Sequence, residues 1–216
     1  EEMRAQLQLS LVRSHAAGTG PEVEEEVIRA LMLLRLSTLC TGRTGVRPVV
    51  VETYAKALNA GIVPVVREYG SLGCSGDLAP LAHCALALLG EGEVRVNGEL
   101  QDAGEALAAA GIEPLQLREK EGLALINGTD GMLGQLCLAI TDLRAAAKTA
   151  DIATAMTVEG LLGTLVVFAD DLQQLRPHPG QADAAANILQ VAEGSEILEA
   201  ALEEFKKNQV QDAYSV

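Results

Sequence analysis

Tryptophan is absent from this 216-residue chain, and aromatic residues together make up 2% of it. Hydrophobic residues still account for 49%, so a core must be assembled from Leu, Val, Ile and Ala, a composition that favours packed helices. Positive charge is also scarce: 16 Lys and Arg stand against 30 Asp and Glu, a formal net charge of −14. Such a surface repels phosphate backbones and anionic headgroups, which argues against nucleic-acid binding and against association with a membrane. No uninterrupted apolar run reaches the roughly 18 residues of a span, and no basic-then-apolar leader opens the chain, so neither a transmembrane helix nor a secretory signal is expected. Cys40, Cys74, Cys84 and Cys137 are widely spaced without a C-x-x-C pair, and with three histidines they offer no metal-ligand cluster. A reduced, cytoplasmic protein without a metal is the expectation. Cys40, Cys84 and Cys137 fall in apolar helical runs, where cysteine serves as a small buried hydrophobe.

The chain is long enough for a sizeable core, and no repeat or linker divides it, so residues 1–216 read as a single region. Helical patterning covers residues 1–16, then 21–40, where Pro21 suits a first helical position and Glu22, Glu24, Glu25 and Glu26 favour a helix N-terminus. Further helices are expected over 48–58, 78–89 and 103–110. The segment 62–76, with Pro64 and three glycines, reads as extended or irregular, and long irregular loops are usually functional. Asn97-Gly98, inside the alternating run 93–100, predicts a hairpin and the chain's only β-structure. From Thr129 about 30 residues read as one long bundle helix. Two more helices are expected over 182–193 and 195–207.

The densest signal is Gly70-Ser71-Leu72-Gly73-Cys74-Ser75-Gly76-Asp77-Leu78-Ala79-Pro80-Leu81, with three glycines, two serines and a cysteine in seven residues. Turn chemistry explains much of it, since Gly, Ser and Asp populate tight turns and helix starts. Ser75, however, stands between a small residue and a glycine whose amide nitrogen can fold back on the Cys74 carbonyl, so this turn is one that could cyclise.

Together with Glu121-Gly122-Leu123-Ala124-Leu125-Ile126-Asn127-Gly128-Thr129 and Gln211-Asp212-Ala213-Tyr214-Ser215, this stretch resembles the signatures of the aromatic amino acid ammonia-lyases. The likeness runs along nearly the whole chain, including Arg13-Ser14-His15-Ala16-Ala17-Gly18 and Leu175-Arg176-Pro177-His178-Pro179-Gly180-Gln181, and is closest to members acting on histidine. It implies a mainly α, ammonia-lyase/fumarase-like fold with one small β-hairpin near 93–100. The chain would be the part bearing the reactive turn plus the start of the central helical bundle. It also implies that Cys74, Ser75 and Gly76 form a 4-methylideneimidazol-5-one (MIO) ring without any external cofactor. Ser75 thereby becomes an electrophile for elimination of ammonia from L-histidine, giving trans-urocanate. The family commonly has Ala at the Cys74 position, a side chain that hangs off the ring.

The same resemblance assigns Asp77 to the catalytic set, as an aid to cyclisation or a cap on the helix from Leu78. Tyr214 joins it as a proton shuttle and Gln211 as a substrate contact, both serving a neighbouring subunit of a homotetramer with shared sites. Asn127, otherwise a turn residue, would lie beside the MIO and bind the substrate carboxylate or help form the ring. His15 could merely cap its helix, but the Ser14-His15 pair matches the histidine-acting branch, and His15 can hydrogen-bond an imidazole where leucine cannot. His83 and His178 read as structural. The family's Tyr-Gly-x-x-Thr-Gly loop would precede Glu1, and its C-terminal bundle would follow Val216. The expectation is therefore a piece of a longer polypeptide, inactive alone, with apolar helix faces left exposed. Alternatives are a phenylalanine or tyrosine lyase or aminomutase with the same ring, or a non-catalytic helical assembly module.

Overall fold

Proline and glycine punctuation, aliphatic stripes and a few ion pairs account for most element boundaries in the computed structural model, which describes residues 2–208. The chain forms two compact units, one ending at Ala139 and the other beginning at Ile140, and the division falls inside one continuous helix.

In the first unit, α1 (Glu2–His15) is followed by a short strand, β1 (Thr19–Glu22), and α2 (Glu25–Cys40). Pro21 therefore opens no helix. Residues 19–22 pair antiparallel with a later strand, and Glu22 accepts hydrogen bonds from Arg95 Nε (2.7 Å) and Nη2 (3.1 Å). Tertiary pairing overrides the local helix signal there, and only Glu25 and Glu26 remain in the first turn of α2. Helix α3 (Pro48–Asn59) starts with proline at its first turn, where the missing N–H costs nothing.

The segment read as irregular contains two more strands, β2 (Ile62–Pro64) and β3 (Arg67–Tyr69), the second being the partner of β1. After α4 (Leu78–Leu88) comes the hairpin of β4 (Glu93–Val96) and β5 (Glu99–Asp102), turning through positive φ at Asn97 and Gly98. Strand β2 joins its edge, with Ile62 opposite Val96 and Pro64 opposite Val94. The hairpin is thus present, but it is not the only β-structure. Strands of three or four residues carry too little periodicity to be read locally.

Helix α5 (Ala103–Ala109) is capped by the Asp102 carboxylate, which accepts from Gly104 N at 2.8 Å and Glu105 N at 3.2 Å. A six-residue helix, α6 (Glu121–Ile126), leads through Asn127–Thr129 into α7 (Asp130–Gly160). The core gathers around α4: seven of its eleven residues are buried, among them Pro80, Leu81, Cys84 and Leu88. A helix that is apolar on nearly every side belongs inside. Val12, Ile28, Leu31, Leu39, Tyr54, Leu125 and Ile126 pack around it. Cys84 is buried as expected, but Cys40 and Cys137 are exposed: Cys40 is the last residue of α2, and Cys137 lies on an outward face of α7.

Several α7 residues that read as a bundle face, Leu133, Leu136, Ile140 and Leu143, are 37–67% exposed. The stretch 121–160 is apolar and long enough, by length and composition, to cross a membrane. It is nevertheless broken at Asn127–Thr129 and carries a buried ion pair at Asp130.

The second unit continues α7 and adds a 3₁₀ turn (Val166–Phe168), α8 (Asp170–Gln173), α9 (Pro179–Val191) and α10 (Glu196–Asn208). Asn187 Nδ2 donates to Asp151 Oδ2 at 2.8 Å and Ser195 Oγ to Glu159, tying the helices together. Its apolar interior is small, formed by Ala155, Val158, Ala185, Ile188 and Leu198.

Candidate active site

Because α4 is anchored on nearly every side, its N-terminal end is a fixed platform, and the loop 70–77 is folded onto it. Gly70 permits a close approach: a Cβ there would come within 3.0 Å of Gly18 Cα and 3.2 Å of Ala79 Cβ. Asp77 is 3% exposed, yet its carboxylate makes no cap bond to α4. It turns back instead, accepting from Leu72 N at 2.9 Å and from the Ser71 hydroxyl. The expected cap is therefore a loop clamp, because the loop amide and hydroxyl satisfy the buried carboxylate more fully than a solvent-facing helix end would. The Asp77 amide donates to the Cys74 carbonyl at 3.1 Å, closing a turn over Ser75 and Gly76. Cys74, Ser75 and Gly76 themselves are exposed. The clamp is inside and the tripeptide faces out.

Gly18, which follows α1, lies against this loop at Gly70. Gly18 N donates to His83 Nε2 at 3.0 Å, so that nitrogen is unprotonated, and burial, with Arg67 as a lesser cause, lowers the His83 pKa. His83 is a structural acceptor. His15 Nδ1 lies 2.8 Å from the Leu11 carbonyl, which can only accept, so Nδ1 is the donor, and in the Nδ1–H tautomer Nε2 is an acceptor. Ser14 Oγ donates to the same carbonyl at 2.9 Å. His178 is exposed at the start of α9, in the second unit.

The link between α6 and α7 reaches the same end of α4. A Cβ on Gly131 would sit 3.5 Å from Pro80 Cβ, so the first turn of α7 packs on the first turn of α4. Asn127, just before it, has extended backbone (φ −103°, ψ 109°) and an exposed side chain. Its carbonyl points inward and accepts from Arg35 Nη2 at 3.0 Å. Arg35 is 3% exposed, pairs with the buried Asp130, and donates from Nη1 to Ala124 O at 3.3 Å. Beside this pair, burial pushes the Cys84 thiol up to about 12, with Asp130 adding to the rise, so the thiol stays protonated.

On the far side of α6, Glu121 accepts from Arg47 Nε (2.9 Å), Arg47 Nη2 (2.8 Å), Arg47 N (3.0 Å) and Arg118 N (2.8 Å). Burial alone would raise its pKa, but these bonds outweigh it and the net shift is downward. Sequence reasoning missed Arg35 and Glu121. For Arg35 a signal existed: it falls on the stripe Ile28, Leu31, Met32, Arg35, Leu39, a single cation on the core-facing side of α2.

Gln211 and Tyr214 lie outside the described residues. Among the described residues no three His, Cys, Asp or Glu side chains converge as a metal site. The second unit has a cleft of about 440 Å³ between 163–166 and 189–202, which contains none of the candidate site residues.

The whole chain, residues 1–216, matches the sequence profile described as aromatic amino acid lyase. A histidine ammonia-lyase from Streptomyces coelicolor is 61% identical over 216 residues, 100% of this chain and 42% of that protein. The structure of a tyrosine aminomutase from Streptomyces globisporus superposes with a TM-score of 0.86 at 42% identity, covering 99% of this chain and 42% of the other. That of a histidine ammonia-lyase from Trypanosoma cruzi gives 0.84 at 39% identity, covering 93% and 40%. The chain spans about two-fifths of the length of the curated relatives it matches.

Proposed function

This chain belongs to the aromatic amino acid lyase family, and from that premise we propose that it is the reactive-turn portion of an ammonia-lyase acting on L-histidine in the cytoplasm, with trans-urocanate as product. The observation that carries the reading is the solvent-facing Cys74-Ser75-Gly76 turn held on a buried Asp77. Ring closure needs the Gly76 nitrogen to attack the Cys74 carbonyl carbon, whose oxygen leaves as water with the amide protons of Gly76 and Ser75. The Ser75 hydroxyl and Cα proton then leave as a second water.

The residues present fit that chemistry. The Asp77 amide polarises the carbonyl to be attacked. The space around Gly76 is open, the closest atom to a Cβ there being Cys74 Sγ at 3.9 Å, so the backbone has room to fold back. The MIO so formed supplies an electrophilic methylidene, and no external cofactor is required. Around it, His15 Nε2 is an acceptor suited to an imidazole N–H, and the Asn127 amide is a donor suited to the substrate carboxylate. Gln211 and Tyr214 complete the site from a neighbouring subunit of a homotetramer, Tyr214 as the proton-transfer group. In this reading the chain needs the rest of its polypeptide for turnover.

A second reading has one observation in its favour. The aminomutase backbone superposes as well as the lyase backbone does, so substrate choice rests on side chains such as His15. Turnover of histidine, tyrosine and phenylalanine by the complete polypeptide separates the two, and preference for either aromatic sinks the His15 argument. Intact mass tests the ring: the peptide spanning Cys74 to Gly76 is expected to be lighter by two waters. An unmodified mass would leave the chain as an assembly module. Ser75→Ala is expected to abolish both the mass deficit and activity.

A further inference from the structure

We infer that Arg35 is a positioning residue for Asn127: from the core it holds the main chain at that position, so that the side-chain amide faces the reactive turn. The inference rests on the reading above that Asn127 meets the substrate carboxylate. One guanidinium from α2 reaches three points on the α6–α7 link, namely the Ala124 carbonyl, the Asn127 carbonyl and the Asp130 carboxylate. Asn127 is past the last helical turn, with extended backbone, so no helical bond fixes its carbonyl and Arg35 takes that place. Gly128 belongs to the same device, because the space a Cβ would take there is filled by Arg35 Nη2 and Asp130 Oδ2.

Stability alone is a poor reason for this arrangement. Arg35 Nε has no acceptor among the described residues, and a buried ion pair is often no more stabilising than apolar side chains of similar volume. What the pair does provide is a fixed direction. A planar fork with several donors can lock two carbonyls and a carboxylate at once, which a single ammonium cannot. The result is a backbone gripped from inside at a residue whose side chain is exposed, four residues before Gly131, which packs on Pro80 in the first turn of α4.

The test uses the complete enzyme carrying Arg35→Lys, which still neutralises Asp130, and the apolar pair Arg35→Met with Asp130→Leu in case the first does not fold. Each is measured alone and combined with Asn127→Ala. KM for L-histidine is expected to rise on the order of ten-fold in Arg35→Lys, with a smaller fall in kcat. Inhibition by histamine, which lacks the carboxylate, should be unchanged. In the Asn127→Ala background the Arg35 change should add nothing further to KM. Effects that multiply, or a fall in kcat at constant KM, would mean that Arg35 acts only on the amount of folded enzyme and would overturn the inference. If Asn127→Ala itself leaves KM unchanged, or loses the two-water mass deficit, then the carboxylate reading of Asn127 has failed, and the inference fails with it.

Discussion

Gly128→Ala is the sharpest test of the buried pair. Outside the left-handed region, where Gly128 lies, replacing glycine by alanine ordinarily stabilises a protein by about 0.4–1 kcal/mol through the unfolded chain. Here the new methyl falls on Arg35 Nη2 and Asp130 Oδ2, with Arg35 Cζ only 2.8 Å away. The guanidinium must leave, and its departure strands a carboxylate whose residue is 5% exposed. Breaking a buried pair from one side costs about 3–5 kcal/mol. After the backbone gain, the net loss is about 2–4 kcal/mol. With a urea slope of about 1–3 kcal/mol per molar, the unfolding midpoint followed by far-UV circular dichroism should fall by about 0.7–4 M. The same substitution made on Arg35→Met with Asp130→Leu should be close to neutral, since no fork remains to be displaced. A midpoint that is unchanged or raised in the parent, or an equal loss in both backgrounds, refutes the reasoning.

Four further outcomes are expected. Glu121→Gln should destabilise by about 2–3 kcal/mol, because the bonds from Arg47 and Arg118 then meet an uncharged amide. The depressed Glu121 pKa means that its stabilisation is complete above the ordinary carboxylate value of about 4.3 and is lost as pH falls through the lower folded value; acid-unfolding curves of parent and variant should converge there. His83 has the opposite charge logic. Its folded pKa lies below the ordinary value of about 6.5, so the unfolded chain takes up the proton first and stability declines as pH drops below that value. His83→Gln, which can still accept from Gly18 N, should flatten denaturation midpoints measured across that range. Asp77→Ala should slow ring closure, seen as persistence of the unmodified mass at Cys74–Gly76. Leu81→Ala, emptying a 1%-exposed site in α4, should cost about 2–5 kcal/mol by chemical denaturation.

The parts of the fold legible in the sequence are those specified by neighbours along the chain. Pro48 at the start of α3, Asn97-Gly98 in the hairpin and the proline-free run of α7 each carry their own geometry. Pairings made at a distance were not legible. Glu22 is committed to Arg95, 73 residues away, and that commitment turns a helix start into strand β1. Strand β2 is three residues of apolar chain that become a strand only because β4 lies beside them. In the site, the tripeptide and Asn127 stood out by their signature. The direction of the Asp77 carboxylate did not, since the same residue type caps helices elsewhere, as Asp102 does at α5. For Arg35 the core-facing stripe of α2 marked the position, but the groups it binds, on α6, the link and α7, are 89–95 residues away and were not legible.

The hydrogen bonds that shape the reactive turn exist only once α4 has been buried and Asp77 has closed on Ser71 and Leu72. In the proposed reading, chemical maturation therefore waits for folding. An unfolded chain has an ordinary serine at position 75, inert toward amines and thiols of the cell, and the electrophile comes into being only in molecules already native. Closure expels two waters and is not reversed by later unfolding, so the mass of a denatured chain keeps a permanent record of whether it was ever folded.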